Sequence, residues 1–165
     1  MAYKCIVFDN PATGHLSVIH PVYNDRLRPS DATDDDVLDE CIRRNIETGT
    51  LPTGAAYRVV DASVIPTHRL FRNAWWDDGN NVVVNMSEAS VIHMDDIRVD
   101  RDKALLELDI TFMRAVEDGD PDAQDAASAA KQGLRDIPQT FDLSSASTPE
   151  QLTVLWPDDL DRSDN

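Results

Sequence analysis

Residues 85–138 read NMSEASVIHMDDIRVDRDKALLELDITFMRAVEDGDPDAQDAASAAKQGLRDIP, and this stretch decides the fold. Apolar residues recur along its first part at helical spacing and predict a helix of about 32 residues, roughly 48 Å long. Gly119 ends this helix, and Asp120 and Pro121 restart a second one at once, as N-cap and first helical residue. The second helix is rich in alanine, which allows close approach, so the two helices are expected to form an antiparallel hairpin. The apolar stripe of the first helix comprises Met94, Ile97, Ala104, Leu105, Leu108, Phe112, Ala115 and Val116, of which Ile97, Leu108 and Phe112 are expected to face the second helix.

The first helix carries more apolar surface than its partner helix can reach. At about 48 Å it is longer than a small domain is wide, so at least one end projects or packs on another chain. The half from Met86 to Arg101 is expected to pack on the preceding module or on another chain. Met86, Ile92 and Met94 are therefore candidate partner-binding residues.

The preceding module, residues 1–85, has the pattern β-β-α-β-β-β. Short runs rich in β-formers are separated by turn residues, at 3–8, 15–22, 56–60, 71–76 and 81–84. Thr33 stands before three aspartates as the N-cap of a short amphipathic helix that ends near Thr48. The predicted fold class is α+β, a small antiparallel sheet with one covering helix, followed by a long helical hairpin and a short C-terminal docking helix.

Residues 138–165 form a C-terminal tail in this scheme. Pro138 is expected to stop the second helix of the hairpin 86–137. Thr148-Pro149-Glu150-Gln151 is a capping sequence for a short helix over 149–155, and Trp156 is expected to pin the tail to a hydrophobic groove. Leu155 and Trp156 are also candidates for contact with a partner.

Trp75 and Trp76 are neighbours on a predicted strand, so their side chains face opposite sides. One is expected to enter the core. The other either covers the base of the long helix or anchors a partner protein, and both residues are kept as candidate partner-binding residues.

The net charge of −16 argues against two classes of ligand. No basic patch is available to bind nucleic acid phosphates or an anionic membrane surface. Residues 86–165 hold 19 Asp/Glu and 7 Lys/Arg, which predicts a solvated acidic surface or a face for a basic partner. The apolar run in MAYKCIVFDN is too short for a signal peptide, and none reaches the roughly 20 residues that span a bilayer.

The sequence predicts no catalytic, cofactor-binding or metal-binding residue. It contains no Gly-rich phosphate loop, no Gly-x-Ser-x-Gly and no Cys-x-x-Cys. His15 and His20 point to opposite faces of a strand, and His93 and Asp96 are interpreted as a surface pair. Cys5 and Cys41 lie on apolar-patterned segments and are interpreted as buried free thiols, not a disulfide framework.

Two parts of the chain resemble small proteins of bacteriophage tail regions. QGLRDIP at 132–138 with LWP at 155–157 is similar to the C-terminal pattern of tail-fibre assembly chaperones. FRNAWWDDG, VNMSEA and the following long helix look like proteins encoded among phage tail and fibre genes. The Pro138–Trp156 interval is longer than in the chaperone pattern, with an inserted Ser/Thr-rich segment.

The resemblance implies a non-enzymatic protein that acts by protein–protein contacts, as a virion component or as a fibre assembly factor. Its expected partners are other virion proteins, at the tail fibre or tail tip, with a homo-oligomer as a further possibility and no nucleic acid or membrane. The expected location is the host cytoplasm during assembly and then the virion. One alternative is a capsid or neck decoration protein that clamps neighbouring subunits, and another is a small hydrolase, which would need a deep pocket with converging titratable groups.

Overall fold

A computed structural model describes residues 3–26 and 28–163 and has an α+β architecture. The chain divides into two compact units, Met1–Asn85 and Met86–Asn165. The elements of the first unit are β1 (Lys4–Asn10), β2 (His15–Ile19), α1 (Asp34–Glu47), β3 (Arg58–Asp61), β4 (Trp75–Asp77) and β5 (Val82–Val84), with short 3-10 helices at Ala62–Val64 and Arg72–Ala74. The elements of the second unit are α2 (Met86–Glu117), α3 (Pro121–Thr140) and α4 (Pro149–Val154).

The strands of the first unit divide between two antiparallel sheets. A three-stranded sheet has the order β2-β1-β3, with Ile6 opposite both Ile19 and Val59. A separate hairpin pairs β4 with β5, placing Trp75 opposite Val84. The strand expected from residue 71 begins at Trp75 because the 3-10 turn Arg72–Ala74 precedes it. The predicted single sheet is therefore two smaller ones.

The core of the first unit is built from both sheets. β1 is its central strand, and its four residues from Cys5 to Phe8 are at most 3% exposed. Arg58 on β3 also holds Asp77 on β4 through two hydrogen bonds, from Nε to Oδ2 at 2.6 Å and from Nη2 to Oδ1 at 2.5 Å. This pairing holds the pKa of Asp77 below its usual value. The main cluster contains Cys5, Val7, Leu16, Val60, Trp75 and Val82.

The start of α1 follows the sequence prediction closely. Thr33 is the N-cap and forms a capping box, because its Oγ1 accepts from the Asp36 N–H while Asp36 accepts from the Thr33 N–H. Lys4 on β1 also donates to Asp35 at 2.9 Å. The helix contributes one buried side chain, Leu38.

α2 and α3 form the predicted antiparallel hairpin. The turn between them includes Gly119, whose φ of +66° is the left-handed conformation that favours glycine, and Asp120 accepts from the N–H of Ala123 as the N-cap of α3. Lys131 on α3 lies over the Phe112 ring at 5.3 Å and pairs with Asp109 at 2.5 Å. The expected facing of Phe112 toward the second helix is confirmed.

The expectation that Pro138 stops α3 is wrong. The helix continues to Thr140, and the N–H of Phe141 donates to the Ile137 carbonyl at 2.8 Å. A proline nitrogen has no hydrogen to donate to the carbonyl four residues before it, which here is that of Leu134. Because Pro138 lies in the last turn, one bond is lost, and the carbonyls of Asp136 and Ile137 still accept from the Thr140 hydroxyl and the Phe141 N–H.

Candidate interaction surface

The tail packs on the first half of α2 through a buried histidine. His93 is 0% exposed, and its Nε2 lies 2.7 Å from the carbonyl oxygen of Leu155, directly after α4. Trp156 packs edge-on against the same ring at 5.7 Å and donates its indole N–H to the Leu160 carbonyl. The interpretation of His93 as a surface residue is wrong, because the tail covers it.

Asp100 fixes the end of the described tail to the same helix. Its carboxylate accepts from the backbone N–H and the hydroxyl of Ser163 at 2.9 and 2.5 Å, and from Lys103 Nζ at 2.9 Å. The Ser163 hydroxyl, and then Lys103, lower the pKa of this carboxyl to about 2. The residue is 7% exposed, so it is a paired, desolvated anion.

The predicted partner-binding residues have different surroundings. Trp75 is 5% exposed in the core of the first unit, whereas Trp76 is 51% exposed, as strand alternation requires. Trp156 is half-buried, in the tail contact with His93 and also beneath the guanidinium of Arg162, 4.8 Å from its ring centre. The remaining four are also half-buried, namely Met86, Ile92, Met94 and Leu155.

A row of apolar side chains runs along the opposite, outward face of α2. Leu106 is the most exposed at 66%, and Val99, Ile110 and Met113 are each more than half exposed. Ile92 lies on the same face, seven residues before Val99. We call these five residues the outer stripe: Ile92, Val99, Leu106, Ile110 and Met113.

Of the outer stripe, only Ile92 was among the predicted partner-binding residues, although the sequence carries a signal for the others. Four of its members recur every seven residues, at 92, 99, 106 and 113. The predicted apolar stripe runs through Leu108 and Phe112, on the side that meets α3, and the further apolar surface was expected only in the half from Met86 to Arg101. A helix with two apolar faces has little net amphipathicity, so the apolar residues of its second face look randomly placed in the sequence.

Acidic residues follow one edge of the outer stripe at the same interval. Asp95, Asp102 and Asp109 keep 62%, 64% and 53% of their side chains exposed. Each also pairs with a cation of this chain, namely Arg98, Arg101 and Lys131 respectively. With Glu88 they form the acidic row, at positions 88, 95, 102 and 109.

A second candidate site lies in the first unit, around Cys5 and His20. Cys5 Sγ is 3.0 Å from His20 Nδ1, beside a cavity of about 330 Å³ also lined by Lys4 and Tyr23. This distance fits a nucleophile and its base. Cys5 is only 1% exposed, however, and burial, with the nearby Asp61 charge, raises the pKa of its thiol. An activated cysteine has the opposite shift, so we assign the pair a structural role.

No protein-family model matches this chain, and no curated protein or solved structure matches it either.

Within residues 3–26 and 28–163, no group of three or more His, Cys, Asp or Glu is arranged to hold a metal ion. No helix in the same ranges is both long enough and apolar enough to cross a membrane.

Proposed function

We propose that this protein acts without catalysis, by protein–protein contacts made through the outer stripe of α2. The observation that carries the proposal is the exposure of Val99, Leu106, Ile110 and Met113 on a single helix face. Single exposed apolar residues are ordinary, but a contiguous apolar patch on a protein surface marks a contact site. A partner that covers these side chains removes them from water, which stabilises the complex.

The binding region has the form of a helix-in-groove or helix-pair contact. Anchors separated by three, four and seven residues lie on one side of a helix and are matched by a second helix or an apolar groove. The opposite face of α2, through Leu108 and Phe112, is used by α3. The outer stripe is thus a second surface on an element that the hairpin already supports.

We further propose that the partners are other proteins of a bacteriophage virion, in the tail or tail-fibre region. The support for this class is the resemblance carried by FRNAWWDDG, VNMSEA, QGLRDIP and LWP. The protein would then meet its partner in the host cytoplasm during assembly, as a structural component or as an assembly factor.

The test is to follow the protein during the assembly of phage particles whose genome encodes it. Purified virions and assembly intermediates are analysed by mass spectrometry, and the chain is co-expressed with each neighbouring tail-gene product and fractionated by size. Co-elution with a tail or fibre protein, together with presence in particles or intermediates, is the expected result. Absence from both, with no complex formed, would reject the proposal.

The two forms of the proposal separate in the same experiment. A structural component remains in the mature particle, and electron microscopy locates it at the tail. An assembly factor is absent from the particle and raises the solubility of the fibre protein on co-expression. Localisation to the capsid or neck would assign the protein to decoration instead.

A further inference from the structure

We infer that the outer stripe accepts an amphipathic helix of another protein whose apolar seam is flanked by basic residues. This inference rests on the proposed function, because it names the chemistry of the partner at that same surface. It follows from the spacing of the stripe, from the elements that surround it, and from the charges at its edge.

The spacing matches a coiled-coil seam. Val99, Leu106 and Met113 recur at sevens, and Ile110 lies four residues after Leu106 and three before Met113. In a heptad these are d positions with Ile110 at a, so a second helix packs by inserting its side chains between them. From Ile92 to Met113 the seam is about 32 Å long, which accommodates three heptads.

The surroundings of the stripe leave one flank open. The side of α2 that carries Leu108 and Phe112 meets α3, and the side that carries His93 and Asp100 holds the tail. The heptad places His93 and Asp100 at e positions, and the acidic row at every g position from 88 to 109. The incoming helix therefore lies over the stripe and against the acidic row.

A second copy of this chain is a poor occupant of the stripe. In a parallel pair the a positions meet their own counterparts, so Asp96, Lys103 and Glu117 would each be apposed to a like charge at the seam. In an antiparallel pair the same edge of both helices comes together, so the two acidic rows would face each other. Both arrangements are unfavourable because they bring like charges together. A helix with an apolar seam and basic flanks avoids both of these repulsions.

The carboxylates of the acidic row retain capacity for a partner. Asp95, Asp102 and Asp109 each pair with one cation of their own chain, yet more than half of each of these side chains stays in water. A carboxylate has about four acceptor positions, so a lysine or arginine of the partner can join the existing pair. The acidic excess of residues 86–165 attracts the same cation at longer range.

The probe is a fluorescent synthetic helix of about four heptads with Ile at a, Leu at d and Lys at e and g. Its matched control has Glu at e and g. Binding of each peptide to the full chain is measured by fluorescence anisotropy at low and high salt. Leu106→Asn removes the centre of the stripe, and Val154→Asn is the matched control, since Val154 is 76% exposed and belongs to α4, not to α2. Circular dichroism checks that both variants keep their helicity.

The Lys peptide is expected to bind the wild-type chain at least about tenfold more tightly than the Glu peptide, and less tightly at high salt. Leu106→Asn should weaken binding of the Lys peptide by about tenfold or more, whereas Val154→Asn should change it by less than about twofold. The double variant Asp95→Asn, Asp102→Asn should weaken binding of the Lys peptide and leave binding of the Glu peptide unchanged. The wild-type chain should sediment as a monomer.

Three outcomes would overturn the inference. Equal binding of both peptides would mean that the acidic row does not select the partner. Binding of neither peptide would mean that the outer stripe does not accept an amphipathic helix. A wild-type dimer that Leu106→Asn dissociates would assign the stripe to a second copy. If neither peptide binds while the protein still associates with virions, the inference is wrong and the proposed function stands. If the Lys peptide binds but the protein does not associate with virions, the inference stands and the proposed function is wrong.

Discussion

At the scale of single residues, Asp100 has the strongest assigned role in the second unit. It is desolvated and accepts two hydrogen bonds from Ser163 and one from Lys103. Asp100→Asn removes the charge and one acceptor, so the free energy of unfolding is expected to fall by about 1–3 kcal/mol. Chemical denaturation measures this change. Asp95→Asn is the control, because its exposed side chain should leave the free energy of unfolding within about 0.5 kcal/mol.

The contribution of Asp100 should also depend on pH in a definite direction. Its pKa in the folded protein is about 2, below the ordinary 3.8, so its stabilisation is fully present above about pH 4. As pH falls from about 4 toward 2, protonation removes this stabilisation, and wild type and Asp100→Asn should converge in stability. A constant difference down to pH 2 would contradict the assignment of a buried anion.

The two cysteine thiols should react at different rates in the folded protein. Cys5 is 1% exposed, whereas Cys41 is half-buried on α1. Iodoacetamide should therefore alkylate Cys41 first and reach Cys5 only after unfolding, as read by peptide mass spectrometry. Alkylation of Cys5 in the native protein as fast as in an unfolded peptide would instead favour a nucleophilic role for the Cys5–His20 pair.

Strand alternation was enough to place one tryptophan of the Trp75–Trp76 pair in the core and the other in water. The Cys5–His20 contact was beyond sequence reasoning, because it joins β1 to the residue after β2 and depends on hairpin register. Pairs that are close in sequence follow from local geometry. Pairs that are brought together by strand register do not.

At the scale of elements, one buried and one exposed leucine of the helical hairpin provide a matched test of packing. Leu134 on α3 is 6% exposed, whereas Leu106 on the outer stripe is 66% exposed. Leu134→Ala should lower the free energy of unfolding by about 2–4 kcal/mol, since it leaves a cavity. Leu106→Ala should change it by less than about 0.5 kcal/mol. Thermal and denaturant unfolding of both variants supply the comparison; equal losses would mean that the outer stripe is covered in the protein alone.

Helix starts, and the end of α2 before Gly119, were predicted well, whereas the end of α3 was not. Thr33, Asp120 and Thr148 each cap a helix as expected, because a capping side chain acts on the nearest backbone groups. The end predicted at Pro138 was wrong because a proline in the last turn of a helix removes only one hydrogen bond. The strand pairing of β4 and β5 apart from the other three also required tertiary information.

At the scale of the whole molecule, the excess of acidic residues governs solubility. The net charge is −16 at pH 7, and the sequence pI is near 4.3. Repulsion between molecules disappears near that pH, so solubility should reach its minimum there, as light scattering across a pH series would record. Leu106→Asn should reduce the scattering at that minimum, because it replaces the most exposed apolar side chain of α2 by a polar one. No change in that variant would mean that the outer stripe takes no part in the association.

The α+β class and the helical hairpin were predictable from periodicity and capping alone. The spacing of the outer stripe could be read from the sequence, but its exposure could not, since periodicity says that a helix face is apolar but not whether another element covers it. His93 illustrates the same limit: its burial depends on a tail contact 62 residues away in sequence.

The turn at Gly119 has a further consequence for the order of folding. Only three residues separate the end of α2 from the start of α3, so pairing of the two helices closes a very short loop and loses little chain entropy. Contacts this local form early, whereas the bonds from Asp100 to Ser163 must await a long-range closure. The outer stripe would then exist on a nascent hairpin before the tail has docked, and a partner could be recruited during synthesis. Pulsed hydrogen exchange should show protection at the Gly119 end of the hairpin first and at His93 later.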